Sequence, residues 1–279
     1  MSAGTTAPGL AADTALEPLG DGRWRGEISE RWWIPAPVAE GPWSGGPYGG
    51  YVSAFLVRAL MAAVDDPGRP PRSLTVHFLE APAAGPVEVC ATVERAGRST
   101  TSVALRMEQG GRPVALALAA AGAWREEQPA WDELRPPAVP GPEDCRPVSR
   151  RYGLPPFMDN FDVRWAEGGS LGDPAERARN VTWVRPRPAS ALDHLAVTAL
   201  SDTMVPAAFS RLGRPAVVPT LDLTIHFRAP LPATGGDGWG LAVFASQLSA
   251  GGTWEEDGEL WSRDGVLLAQ SRQLAMIRA

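Results

Sequence analysis

Asp202 falls where a carboxylate is least expected. At a helical period it stands seven residues after Leu195 and three after Ala199, within an apolar stripe. Burying an unpaired carboxylate is costly, so such a residue is paired, hydrogen-bonded or functional, a capped acid near the helix end being the structural reading. Thr220 opens a run in which Thr220, Asp222, Thr224 and His226 alternate with Leu221, Leu223, Ile225 and Phe227. Period-two alternation sets the polar four on one face and the apolar four against the core, although threonine also favours strands by propensity alone. Gln273 shares a face with Leu267, Ala269, Ser271, Ala275 and Ile277. Its amide needs partners there, either structural ones or a water and a substrate carbonyl.

Other chemistries find less support. His77 and His226 occupy matching places in two similar strands, which reads as structural use, and His194 beside Asp193 reads as exposed or capping. No HxxxH or HExxH pairing occurs, so no metal site is expected. The stretch Pro42-Trp43-Ser44-Gly45-Gly46 lacks the G-x-S-x-G nucleophile elbow. Gly45, Gly46, Gly49 and Gly50 precede a helix without forming G-x-G-x-x-G. They are either a tight, closely packed turn or a source of backbone N–H groups, from Gly49 and Gly50, for an oxyanion or phosphate. No lysine occurs and all 26 basic residues are arginine, as codon bias in a GC-rich genome would produce. Schiff-base chemistry, pyridoxal phosphate anchoring and a P-loop each need a lysine and are excluded.

The elements that must position these groups are legible in outline. The 279 residues suffice for two domains, and 44% hydrophobic with 21% charged residues is ordinary for a globular protein. The phrase Leu74-Thr75-Val76-His77-Phe78 returns 149 residues later as Leu223-Thr224-Ile225-His226-Phe227, followed in both copies by Ala-Pro, at Ala81-Pro82 and Ala229-Pro230. A period of half the chain means duplication of a whole domain. A first repeat is expected over 21–125, with an opening strand region at Trp24–Ile34, a helix over Gly49–Val64 and strands at 72–80, 86–95, 99–108 and 113–124. The second, over 159–279, is expected to have strands at Phe161–Trp165 and Asn180–Val184, then a helix over Leu192–Phe209. Strands at 219–228, 239–249, 257–263 and 266–277 follow, with Asp264-Gly265 a hairpin turn. Residues 126–158, with eight prolines, read as a semi-rigid linker, and Met1–Gly20 as a mobile tail. One helix and a run of antiparallel strands per repeat is an α+β layout.

Composition sets the surroundings. Cys90 and Cys145 make no disulfide framework and fit a reducing cytoplasm. The N-terminus lacks the basic start and apolar core of a secretory signal, and no run of 18 apolar residues occurs, so neither export nor a membrane span is expected. With a net charge of −6 and no dense basic block, nucleic-acid binding is not expected.

A helix swaddled by an antiparallel sheet, duplicated in tandem, resembles the double-hotdog architecture, and specifically the type II acyl-CoA thioesterase (thioesterase-like) family. The resemblance is carried by Tyr48-Gly49-Gly50, Val76-His77-Phe78-Leu79, Arg95-Ala96-Gly97-Arg98-Ser99 and Gln109-Gly110-Gly111. In the second half it is carried by Leu200-Ser201-Asp202, Pro219-Thr220-Leu221-Asp222, and Ser262 to Ala269 leading to Gln273. It spans roughly residues 22–278 and implies that Asp202, Thr220 and Gln273 together hold a hydrolytic water. The implied reaction is direct attack of that water on an acyl-CoA or acyl-carrier-protein thioester. It needs no cofactor beyond the coenzyme A of the substrate, and the family implies a homo-oligomer. At matching places the first half has Ser53, Pro71 and Ala120, so one site is expected, in the second half.

Two other readings stay open on the sequence. A hydratase, dehydratase or cyclase acting on an acyl thioester would be favoured by His226 lying near Asp202. A non-catalytic acyl-thioester-binding protein or scaffold would be favoured by an Asp202 that is exposed and far from Thr220.

Overall fold

A computed structural model describes residues 9–35, 45–126, 131–148, 155–168, 174–202, 205–233 and 237–277. Helix α1 (Leu10–Asp13) leads into strands β1 (Glu17–Gly20) and β2 (Arg23–Ile28), a short pair β3 (Trp33–Pro35) and β4 (Gly45–Pro47), and the long helix α2 (Gly49–Val64). Strands β5 (Pro71–Phe78), β6 (Gly85–Ala96), β7 (Thr100–Gln109) and β8 (Arg112–Gly122) complete the first half. The second half runs β9 (Arg146–Pro147), β10 (Phe161–Gly168), β11 (Ala178–Pro186), α3 (His194–Leu200), α4 (Ala207–Leu212) and β12 (Thr220–Phe227). It ends with β13 (Gly240–Ser246), β14 (Ser249–Ala250), β15 (Thr253–Ser262) and β16 (Leu267–Met276).

The repeated phrase forms the seam of the molecule. One sheet runs in the order β1-β2-β6-β7-β8-β5-β12-β16-β15-β13-β11-β10-β9, with β14 on β15. The first half is therefore met by its own image across β5 and β12, which pair antiparallel with Thr75 opposite Thr224. Those two hydroxyls, equivalent in the repeat, lie 3.1 Å apart. The apolar alternate residues of the strands, Leu74 and Val76 with Leu223 and Ile225, all point into the core. There they cover α2, which is buried from Gly50 to Val57 and again at Ala59 and Leu60. The helices meet on the same axis: Gly50 rests on Ala199, its repeat equivalent, and a Cβ on Gly50 would lie 2.5 Å from the Ala199 carbonyl oxygen. The tandem hotdog layout is thus realised as two α+β halves sharing one sheet.

Three expectations change. The helix expected over Leu192–Phe209 is two helices: α3 ends at Leu200, and α4 begins at Ala207 with Pro206, which has no N–H, at its N-cap. The tail expected over 1–20 is folded where described, since Leu10 is buried and the Asp13 carboxylate accepts from Trp32 Nε1 and Arg31. The stretch expected as linker is partly built into the second half. β9 pairs with β10, Trp183 Nε1 donates to the Pro140 carbonyl at 2.8 Å, and Phe157 stacks on Tyr48. Its prolines give it an extended path, but its apolar residues find cores to enter.

Candidate functional site

Asp202 lies just past the end of α3 and is only 5% exposed. Its Oδ2 accepts the Gly50 backbone N–H at 2.8 Å. Its own carbonyl accepts from the Tyr48 hydroxyl at 2.6 Å, an interaction Tyr48 shares with Ala199. A Cβ on Gly49 would lie 2.8 Å from Asp202 Oδ2 and 3.3 Å from the Phe78 ring. All three residues of Tyr48-Gly49-Gly50 therefore serve Asp202. The phenol pins its backbone, Gly49 leaves room for its carboxylate, and Gly50 donates to it. The anion sits at the N-terminus of a 16-residue helix, where orphan N–H groups and the helix dipole favour negative charge. Burial first, then the Asp202 and Glu256 charges, hold the Tyr48 phenol well above its ordinary pKa, so it acts here as a donor only.

Gly50 was expected as an oxyanion donor; its N–H is instead committed to Asp202. Gly49 keeps its place at the cavity wall, in the first turn of α2.

Thr220 reaches the site through a bulge. Strict alternation puts it on the outer face with Asp222, Thr224 and His226. The register shifts between Thr220, opposite Ala275, and Asp222, opposite Leu274, so Leu221 is the extra residue. That shift turns Thr220 to the inner side, with Leu223 and its partner Gln273, as bulges do when they re-aim a side chain. Thr220 Oγ1 donates to Gln273 Oε1 at 2.9 Å. Gln273 Nε2 donates at 2.9 Å to Glu256 Oε1, and Glu256 Oε2 accepts the Ala207 N–H at 2.6 Å. Glu256 is 1% exposed and was missed in the sequence, because the strand that carries it was expected to start at 257 rather than Thr253. The signal was there: Trp254, Glu256, Gly258 and Leu260 alternate as an inward row.

Asp202, Thr220 and Gln273 line one cavity of about 660 Å³ between the two halves, together with Tyr48, Gly49 and Trp254. Most of the remaining wall is apolar, including Phe78, Phe157 and Phe209. Asp202 is buried and lines the same cavity as Thr220, so the exposed, distant Asp202 that would favour the non-catalytic reading is not found. His226 is exposed on the opposite face of β12, away from the buried Asp202, so the approach that would favour the hydratase reading is not found. His194 is buried rather than exposed. Its ring packs edge-on against Phe227, burial lowers its pKa, and the helix cap is Asp193 instead, accepting from the Ala196 N–H.

Among the described residues the first half has no matching site. Register places Ala119, not Ala120, at the Gln273 position, because Leu74 faces Ala119 as Leu223 faces Gln273. Val103 faces Ala119 where Glu256 faces Gln273. With Ser53 and Pro71, the counterpart of the Asp–Thr–Gln–Glu chain is Ser–Pro–Ala–Val.

Comparison with known proteins bears on the family and the fold. Residues 39–122 match the family model of the acyl-CoA thioesterase N-terminal domain, and residues 142–277 that of the C-terminal domain. The second match begins inside the stretch read as linker, where Cys145 and β9 join the fold. A hot-dog-fold protein of unknown function from Alicyclobacillus acidocaldarius is 31% identical, with 97% of this chain and 98% of that one covered and a TM-score of 0.85. The acyl-CoA thioesterase II TesB2 of Mycobacterium marinum shares the fold at 21% identity, with 96% and 98% covered and a TM-score of 0.72. An uncharacterised protein of Mycobacterium tuberculosis is 28% identical over 281 residues, 92% of this chain and 91% of that protein. With both family models matched in order, and with one sheet shared by two helix-centred halves, the chain belongs to the acyl-CoA thioesterase family of tandem hotdog proteins.

Proposed function

We propose that this protein hydrolyses an acyl thioester, carried on coenzyme A or an acyl carrier protein, by direct attack of water. The observation that supports this most is a buried carboxylate, anchored at a helix N-terminus, opening on the same cavity as a Thr–Gln pair. A carboxylate has lone pairs beyond the one Gly50 uses, and these accept a proton from the attacking water. Thr220 has given its own hydrogen to Gln273, so its oxygen is left to accept the water's second hydrogen. Gln273 has used one N–H on Glu256, and its other N–H donates to the water oxygen. One lone pair of the water then remains for the carbonyl carbon.

Attack forms the new C–O bond as Asp202 takes the proton. Collapse of the tetrahedral species breaks the C–S bond, and the thiolate leaves with that proton. The Gly49 N–H, at the wall of the cavity, donates to the developing oxyanion. The apolar wall takes the acyl group and excludes bulk water, which strengthens these interactions. No cofactor is called on beyond the coenzyme A of the substrate. No helix among the described residues is long and apolar enough to cross a membrane. An acyl-CoA substrate would set the reaction in the cytoplasm.

Thiol release from short, medium, long and aromatic acyl-CoAs, and from acyl-carrier-protein thioesters, tests this directly. Asp202→Asn keeps an acceptor for the Gly50 N–H but no base, so the fold should hold while the rate falls by roughly 10²–10⁴. An Asn variant as fast as the wild type, or no release from any thioester, would reject the reading.

A further inference from the structure

We propose that Glu256 is a positioning residue of this site, fixing which end of the Gln273 amide faces Thr220 and which N–H faces the water. The inference rests on the hydrolytic reading above. An amide presents a carbonyl and an NH2 group of nearly the same shape, and a hydroxyl can bond to either end. Thr220 alone therefore leaves Gln273 with two orientations, of opposite hydrogen-bond polarity. A carboxylate removes the choice because it only accepts. With Glu256 Oε1 at 2.9 Å, Gln273 must turn its nitrogen to Glu256 and its oxygen to Thr220, which then must donate. In the other orientation the Thr220 hydroxyl would accept from Gln273, the second N–H would leave the place it has beside Glu256, and the amide carbonyl would face a carboxylate with no hydrogen between them.

Three observations support the assignment. Glu256 is buried and does not line the cavity, so it acts through Gln273 and not on substrate. Its second oxygen is held by the Ala207 N–H at the start of α4, which fixes the carboxylate from the far side. Where the first half has Ala119, with no amide to orient, the facing residue is Val103 and no carboxylate is kept.

The alternative is that Glu256 serves only the fold, by binding the α4 backbone and the Gln273 side chain. Two variants separate the two roles. Glu256→Gln lets the Gln273 amide flip, and kcat should fall at least about tenfold with KM within about twofold. The double swap Glu256→Gln with Gln273→Glu restores an amide–carboxylate pair and keeps an acceptor for Thr220, but leaves no N–H at 273. Its Tm should return toward the wild-type value while kcat stays low. Wild-type kcat in the single variant, or recovery of kcat together with Tm in the swap, would overturn the assignment.

A measurement without turnover completes the test. In side-chain amide NMR spectra the Gln273 proton pair, identified by its loss in Gln273→Glu, should show one slowly exchanging proton in the wild type. That protection should vanish in Glu256→Gln. A wild-type pair that exchanges like a solvent-exposed glutamine overturns the proposal whether or not any variant folds. If the protection is found but no thioester is hydrolysed, the hydrolytic reading fails and the Gln273 orientation stands by itself.

Discussion

Each polar atom at the site has a definite direction, and that direction generates testable differences. Thr220→Val keeps the shape but removes the hydroxyl, leaving the Gln273 carbonyl without its 2.9 Å donor. On the proposed reading, thiol release should fall about tenfold or more, whereas Thr220→Ser should retain most of it. A Val variant of wild-type rate would separate Thr220 from the chemistry. The residue types Asp202, Thr220 and Gln273 were readable from the chain, but only the family resemblance drew them together. Alone, each had a structural alternative as good. Glu256 was not read at all, since a glutamate in a strand becomes unusual only once that strand is known to be buried on the face it occupies.

At the scale of elements, the site depends on two interruptions of regular structure. α3 ends at Leu200 and leaves Asp202 just beyond it; the bulge at Leu221 turns Thr220 inward. The end of α3 was not visible in the sequence, because the apolar period continues across it. The bulge was not visible, since alternation is unbroken and only the register with β16 reveals the extra residue. The contact of α2 with α3 gives a stability prediction. Gly50→Ala drives a Cβ to 2.5 Å from the Ala199 oxygen and 2.7 Å from the Tyr48 ring. Overpacking of this kind costs about 1–3 kcal/mol, and the shift should also loosen Asp202. Denaturant unfolding and thiol release, followed together, should both fall, and an unchanged unfolding midpoint would contradict the packing described. At the other end of α3, burial holds the His194 pKa below the usual imidazole value of about 6.5. The unfolded chain therefore takes up the proton first, and stability is lost as pH falls below about 6.5. His194→Gln should reduce that slope between pH 7 and 5. It should not abolish it, because partial desolvation on the outer sheet face, then the Arg228 charge, lower His226 as well, although His226 is exposed there.

The whole molecule is a duplicated unit that keeps its symmetry in the scaffold and breaks it in the cavity. Duplication was legible from one repeated phrase. That the two copies of the phrase pair with each other was not, because a strand's sequence does not name its neighbour. The retained half of the symmetry lies in the apolar contacts of β5 with β12 and of Gly50 with Ala199. The broken half is the replacement of Asp, Thr, Gln and Glu by Ser53, Pro71, Ala119 and Val103. One consequence is stoichiometric: calorimetric titration with a non-hydrolysable acyl-CoA thioether should find one site per chain, and two would contradict the asymmetry. Another concerns Ser53, whose buried hydroxyl has no hydrogen-bond partner. Ser53→Ala should leave thiol release unchanged and leave Tm equal or slightly raised, since an unsatisfied buried hydroxyl contributes nothing favourable.

The central claim is that water, oriented by the Asp202 cavity, attacks the thioester directly. The most direct test is a single turnover, with enzyme in excess over acyl-CoA, in water labelled with heavy oxygen. Direct attack predicts that the acid released in that first turnover carries one labelled oxygen, and that Asp202→Asn slows its appearance. Unlabelled acid from the first turnover would mean that its new oxygen came from an enzyme carboxylate through a covalent acyl intermediate, and the account would be wrong.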